Sequence, residues 1–81
     1  MDLKVKKPIF GESASTFVNR LSAYEGRVLI KKDHWVVDAK SLLGVLALSL
    51  YPGDIIHLEF SDGVDQEAVE SFIELGYFEK N

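Results

Sequence analysis

Few side chains in this sequence are equipped for covalent chemistry. There are two histidines, His34 and His57, and no cysteine, which excludes disulfides, thiolate nucleophiles and thiolate metal sites. His34 follows Asp33 between two apolar runs, and His57 alternates with Ile56 and Leu58. Neither stands at metal-ligand spacing from nearby carboxylates, and both read as ordinary residues of a turn and a strand. No serine is grouped with a histidine and an acid as nucleophilic catalysis requires. Ser13, Ser15 and Ser41 each stand where a helical pattern starts. Helix-start amides can hold an anion, but a serine there is more simply a cap. No enzyme centre, metal site or cofactor is expected.

The elements that position these residues follow from periodicity. Val36 and Val37 end a β-branched run, Ser41 can cap the leucine-rich segment up to Leu50, and Pro52-Gly53 stops it before the run Ile55 to Phe60. This reads strand, helix, turn, strand. Upstream, Leu3 and Val5 alternate with Asp2 and Lys4 until Pro8 ends a short edge strand. Ala14, Phe17, Val18 and Leu21 then share one helical face. Ser13 is the best side-chain cap by composition, although Gly11 can begin the turn earlier, and Gly26 is a natural exit. Val28 and Ile30 form a second strand and Trp35-Val36-Val37 a third, joined at Asp33-His34, a weaker turn signal than Asp-Gly. Asp65 caps a last helix with Ala68, Val69, Phe72 and Ile73 on one face, and Gly76 stops it. The order β-α-β-β-α-β-α also fits a ferredoxin-like split β-α-β domain with an added helix. The expected core is Val5, Phe17, Val18, Leu21, Val28, Ile30, Val37, Leu48, Ile56, Leu58, Ala68, Val69, Phe72 and Ile73.

Composition bounds the function classes. With 81 residues and 47% hydrophobic content there is room for one domain, residues 1–81, with one core. A formal net charge of -4 argues against nucleic-acid or anionic-membrane binding, and Lys4, Lys6 and Lys7 are too few to reverse it. No apolar run approaches the length of about 18 residues that suggests a membrane span, and no signal peptide is visible. A soluble cytoplasmic protein is expected.

The run Ala39-Lys40-Ser41-Leu42-Leu43-Gly44-Val45-Leu46-Ala47-Leu48 resembles the Ala-Lys-Ser-Ile-Met-Gly-Val-Met-Ser-Leu run of the histidine-containing phosphocarrier protein (HPr) of the sugar phosphotransferase system. Laid on that pattern, the chain aligns without a gap from the Pro8 region to about Phe72. The resemblance implies an α+β open-faced sandwich, with three helices on one face of a four-stranded antiparallel sheet. The family carries phosphate on the histidine of a Gly-Ile-His-Ala-Arg-Pro-Ala segment at the start of its first helix. Here the matching segment is Pro8-Ile9-Phe10-Gly11-Glu12-Ser13-Ala14. Phe10 stands for the histidine, Glu12 for the arginine and Ser13 for the proline, so the carrier site is degenerate.

Ser41 keeps a family position. The resemblance implies a residue that a dedicated kinase phosphorylates in Gram-positive HPr proteins, whose modified form joins a transcriptional regulator. Catabolite-repression HPr-like proteins lack the active histidine and keep this serine. The family also docks partners through apolar side chains at the start of the second helix, which the resemblance places beside the start of the first. Leu42, Leu43 and Leu46 occupy those positions, and Phe10 adds a ring. The basic surround is reduced to Lys40, with Glu12, Ser15 and Asn19 where the family often has Arg, Thr and Lys or Gln. Two readings follow: a histidine-less regulatory or adaptor protein that binds a protein partner, such as a kinase or transcriptional regulator, with a homodimer as another occupant; or a small metabolite-binding or structural domain that has kept the fold.

Overall fold

Alternation of buried and outward side chains builds a sheet that is covered on one face only. The computed structural model describes residues Met1–Asn81, in the order β1 (Asp2–Val5), α1 (Glu12–Ser22), β2 (Val28–Lys32), β3 (Trp35–Asp38), α2 (Leu42–Leu48), β4 (Ile55–Phe60), α3 (Gln66–Glu74) and β5 (Phe78–Lys80). The strands form one antiparallel sheet in the order β3-β2-β4-β1-β5. Leu3, Val5, Val28, Ile30, Ile56 and Leu58 are buried beneath the three helices. Ile30 pairs with Leu58 and Val37, and Leu3 with Ile56, so the register stacks the apolar rows. Lys4, Lys31, His57 and Glu59 fall on the uncovered face, where Lys31 Nζ lies 3.3 Å from a Glu59 carboxylate oxygen.

The sheet has five strands rather than four. The fifth, Phe78–Lys80, pairs with β1 and is too short to show a period of its own. A Schellman turn sends it back from α3: Gly76, at φ 82°, donates to the Ile73 carbonyl and Tyr77 to that of Phe72. Phe78 thereby enters the core. Its ring centroid lies 5.6 Å from that of Phe17 and 6.1 Å from that of Phe72, and the last two are 4.9 Å apart.

The expected core holds except at Val37 and Ile73, which are half-buried. Val37 lies on edge strand β3, with no strand beyond it. Ile73 packs at the rim of the core. Leu3, Ile9, Ala14, Ala39, Val45, Leu50 and Phe78 are buried in addition. Ile9 and Leu50 join them through a bridge between the segments outside α1 and α2, with the Ile9 amide donating to the Leu50 carbonyl.

At α1 the structure takes the earlier of the two starts the sequence offered, and at α2 the helix ends two residues before the expected Leu50. Gly11, not Ser13, is the N-cap of α1, with φ 58° and no side-chain cap; Ser13 lies inside the first turn, where its hydroxyl accepts from the Phe10 amide. The second helix stops at Leu48, before Pro52-Gly53, because Ser49 adopts φ 53° and frees Leu50 for the bridge to Ile9. Gly26 lies beyond the end of α1, and its role is close approach: a Cβ there would stand 2.4 Å from the Ser61 hydroxyl, which accepts from the Arg27 amide.

Candidate functional site

The surface defined by Phe10, Glu12, Ser13 and Ser41 is built on α1 and α2, which run antiparallel. The Ile9–Leu50 bridge joins the start of α1 to the end of α2. At the other end, Lys40, just before α2, donates to the Tyr24 carbonyl just after α1. The start of α2 therefore lies by the end of α1, not beside its start as the resemblance implied. Phe10 stands by the C-terminal end of α2 and Ser41 at its N-terminal end. Seven helical residues separate them, a ridge about 10 Å long at the usual rise per residue.

At the α1 end, Phe10 is 64% exposed and Glu12 is the acidic residue of the first turn. The Ser13 hydroxyl accepts from the Phe10 amide at 3.0 Å and donates to the Phe10 carbonyl at 2.9 Å, pinning the Phe10 backbone to the first turn. Chemically, this end offers helix amides with a carboxylate beside them and a phenyl ring that has no nucleophilic atom. Along the ridge, Leu43 is 80% exposed, while Leu42 and Leu46 are partly exposed. Val45 and Leu48 are the buried face of the same helix.

At the α2 start, Ser41 is exposed and its Oγ accepts from the Gly44 amide at 3.2 Å, the cap that its position before the leucines implied. Asp38 sets the approach: its carboxylate accepts from the Lys40 amide at 2.8 Å and its carbonyl from the Ser41 amide. Gly44 keeps the helix close to the sheet, since a Cβ there would stand 3.3 Å from Val37 Cβ and 3.4 Å from Ser41 Oγ. Lys40, the basic residue retained from the family pattern, has its ammonium committed to the Tyr24 carbonyl.

The histidines lie elsewhere. His34 is in the β2–β3 turn, where Asp33 takes φ 54°. His57 Nδ1 is 2.6 Å from an Asp2 carboxylate oxygen on the uncovered sheet face.

Sequence reasoning missed the clamp that fixes the end of the ridge. Lys32 donates to the Leu48 and Ser49 carbonyls at 3.1 and 3.2 Å and lies 3.0 Å from an Asp54 oxygen. A cation is favoured at a helix C-terminus, where free carbonyls gather. The only sequence signal was Asp54 after Pro-Gly, which marks a turn and names no partner. The Tyr51 amide, donating at 2.9 Å, and then the Lys32 ammonium hold the Asp54 carboxyl below its ordinary value, against partial burial that pushes it up. A depressed carboxyl stabilises the fold above the unfolded value, near 4, and that stability is lost as pH falls through the folded value. Urea midpoints measured against pH should show Asp54→Asn below wild type by a constant margin above pH ~5 and converging on it in more acidic solution. A margin unchanged down to the lowest folded pH would show that the charge is not what matters.

Strand order, three helices on one face and a helix start beside an exposed ridge define a small open-faced sandwich of the phosphocarrier type. The chain belongs to the PTS-HPr family: the model of the PTS HPr component phosphorylation site matches residues 11–76. The match starts one residue after Phe10. Among curated relatives, the HPr-like protein Crh of Halalkalibacterium halodurans is 30% identical over 73 residues, covering 90% of this chain and 87% of that protein. The phosphocarrier protein HPr of Bacillus anthracis superposes with a TM-score of 0.77 at 25% identity, over 88% of this chain and 87% of that one. A histidine-containing phosphocarrier protein of Mycoplasma shares the fold with a TM-score of 0.84 at 17% identity, over 98% and 97% of the two chains. No helix is long and apolar enough to cross a membrane.

Proposed function

We propose that this chain is an HPr-like protein without phosphohistidine carrier activity, a cytoplasmic regulatory or adaptor protein that docks a protein partner on the ridge from Ser41 to Phe10 and is not itself an enzyme. The observation that carries the reading is Phe10: a phenyl ring, 64% exposed, stands at the position aligned with the family's phosphorylated histidine. Exposed apolar side chains at both ends of α2, Phe10 by its C-terminal end and Leu43 near its start, gain nothing for a monomer in water and are the chemistry of a binding surface. A partner face of ordinary size spans far more than the ridge length of ~10 Å, so one partner can cover both ends. With Glu12 exposed and Lys40 committed to Tyr24, the surface favours an apolar or basic partner over an acidic one.

Ser41 is the proposed switch. Its exposed hydroxyl is open to a kinase of the kind that modifies HPr at the matching serine. A phosphate there would gain only a few tenths to ~1 kcal/mol from the α2 dipole, and the neighbouring Asp38 carboxylate opposes it. The modification would thus leave the fold as it is and be read by the partner, a kinase or transcriptional regulator.

The test uses the purified protein with ATP and an HPr serine kinase. One phosphate is expected on the peptide containing Ser41 and none in Ser41→Ala; no incorporation into wild type removes the switch. Capture of a regulator of the catabolite-control type should rise with phosphorylation and fall in Leu43→Glu and Phe10→Ala. Capture that ignores both substitutions removes the ridge as the docking face.

A further inference from the structure

The two edges of the sheet differ in chemistry. The β5 edge is three residues long and presents Glu79 and Lys80, charges that discourage further pairing. The β3 edge presents Trp35 and Val36, exposed by 67% and 55%, and carries no charge before Asp38. The Ala39 amide donates to the Val28 carbonyl, so along β2 the backbone groups of Val28, Ile30 and Lys32 face β3. Of the register pairs, Lys31–Val36 is therefore not hydrogen-bonded, while Lys32–Trp35 and Ile30–Val37 are. Because ladder bonds alternate along an antiparallel strand, the backbone N–H and C=O of Val36, between these pairs, point away from β2. This edge lacks the usual protection.

We propose that β3 is an interface for a second copy of this chain, pairing antiparallel about a two-fold axis through Val36 to continue the sheet. The register follows from the groups that are free. Centring on Val37 is excluded because alternation turns its backbone groups toward β2, and centring on Asp38 because its carbonyl already accepts from Ser41. Centring on Val36 lets the two copies exchange a pair of Val36 N–H to C=O bonds. It sets Trp35 opposite Val37, an aromatic and β-branched pair, and brings His34 level with Asp38 of the second copy, an imidazole N–H donor facing a carboxylate. The surface is complementary to itself, as a two-fold interface requires. The net charge of -4 on each copy opposes association, so the dimer is weak and concentration-dependent. This interface does not depend on the docking ridge and stands or falls separately from it.

Sedimentation of the purified chain from about 10 µM to 1 mM tests the proposal. A monomer–dimer equilibrium is expected, weakened at least about tenfold by Val36→Lys, which sets like charges against each other at the axis, and retained in Leu43→Glu. Amide exchange at Val36 in the wild type should slow as concentration rises, a measurement that decides the matter even if Val36→Lys fails to fold. A wild type that is monomeric throughout, a dimer untouched by Val36→Lys, a dimer dissolved by Leu43→Glu instead, or Val36 exchange independent of concentration would each overturn it.

Discussion

Phe17→Ala is expected to lower the stability of this protein by about 3 to 5 kcal/mol. The ring is 1% exposed and meets both Phe72 and Phe78, with centroids 4.9 and 5.6 Å away. These contacts tie together α1, α3 and β5. An alanine there removes the ring's transfer free energy and leaves a cavity bounded by two other rings, which cannot all collapse into it. At roughly 0.05 to 0.15 kcal/mol per residue, a chain of this size has about 4 to 12 kcal/mol in total, so the loss is comparable with the whole. Thermal and urea melts should show both midpoints far below those of wild type. If Phe17→Ala melts like wild type, the α1 face has been assigned wrongly. Phe72→Ala should behave alike, and the double variant should lose less than the sum because the two rings share one cluster.

The helices were legible because their apolar residues recur at helical spacing: Phe17 and Leu21, or Ala68 and Phe72, are each placed by one pattern. Phe78 was not, since three residues after a glycine carry no period, and only the Schellman turn at Gly76 shows that the chain returns to pair with β1. Tertiary pairing also made Ile9 and Leu50 core residues, and two loop residues facing each other leave no trace in either local pattern. At the site, the motif around Ser41 gave the cap and the exposed leucines in the right places. It gave the wrong end of α2 as the neighbour of Phe10, because antiparallel packing of α1 and α2 depends on the Ile9–Leu50 bridge and the Lys40–Tyr24 contact. The Lys32 clamp joins residues from β2, the end of α2 and the turn before β4, and no single stretch of sequence contains it.

The purified protein should accept no phosphate from phosphoenolpyruvate through the general phosphotransferase enzyme. Transfer needs an imidazole nitrogen to attack phosphorus and a cationic or amide-lined pocket to hold the transferred group. At the position aligned with the histidine, Phe10 has no nitrogen to form the bond. Beside it, Glu12 begins α1, so the amides that would receive the phosphate face an anion of their own chain. A carboxylate at roughly 5 Å from a phosphoryl oxygen costs about 1 to 3 kcal/mol per unit of phosphoryl charge at the dielectric of a protein surface. Phe10→His alone should therefore give little transfer. Adding Glu12→Arg should raise its rate at least about tenfold, since each 1.36 kcal/mol of barrier is a factor of ten. Acid-labile phosphate on the wild type would contradict the loss of carrier chemistry. Equal transfer by Phe10→His with and without Glu12→Arg would show that the nucleophile alone was missing and that the carboxylate at the start of α1 is indifferent to it.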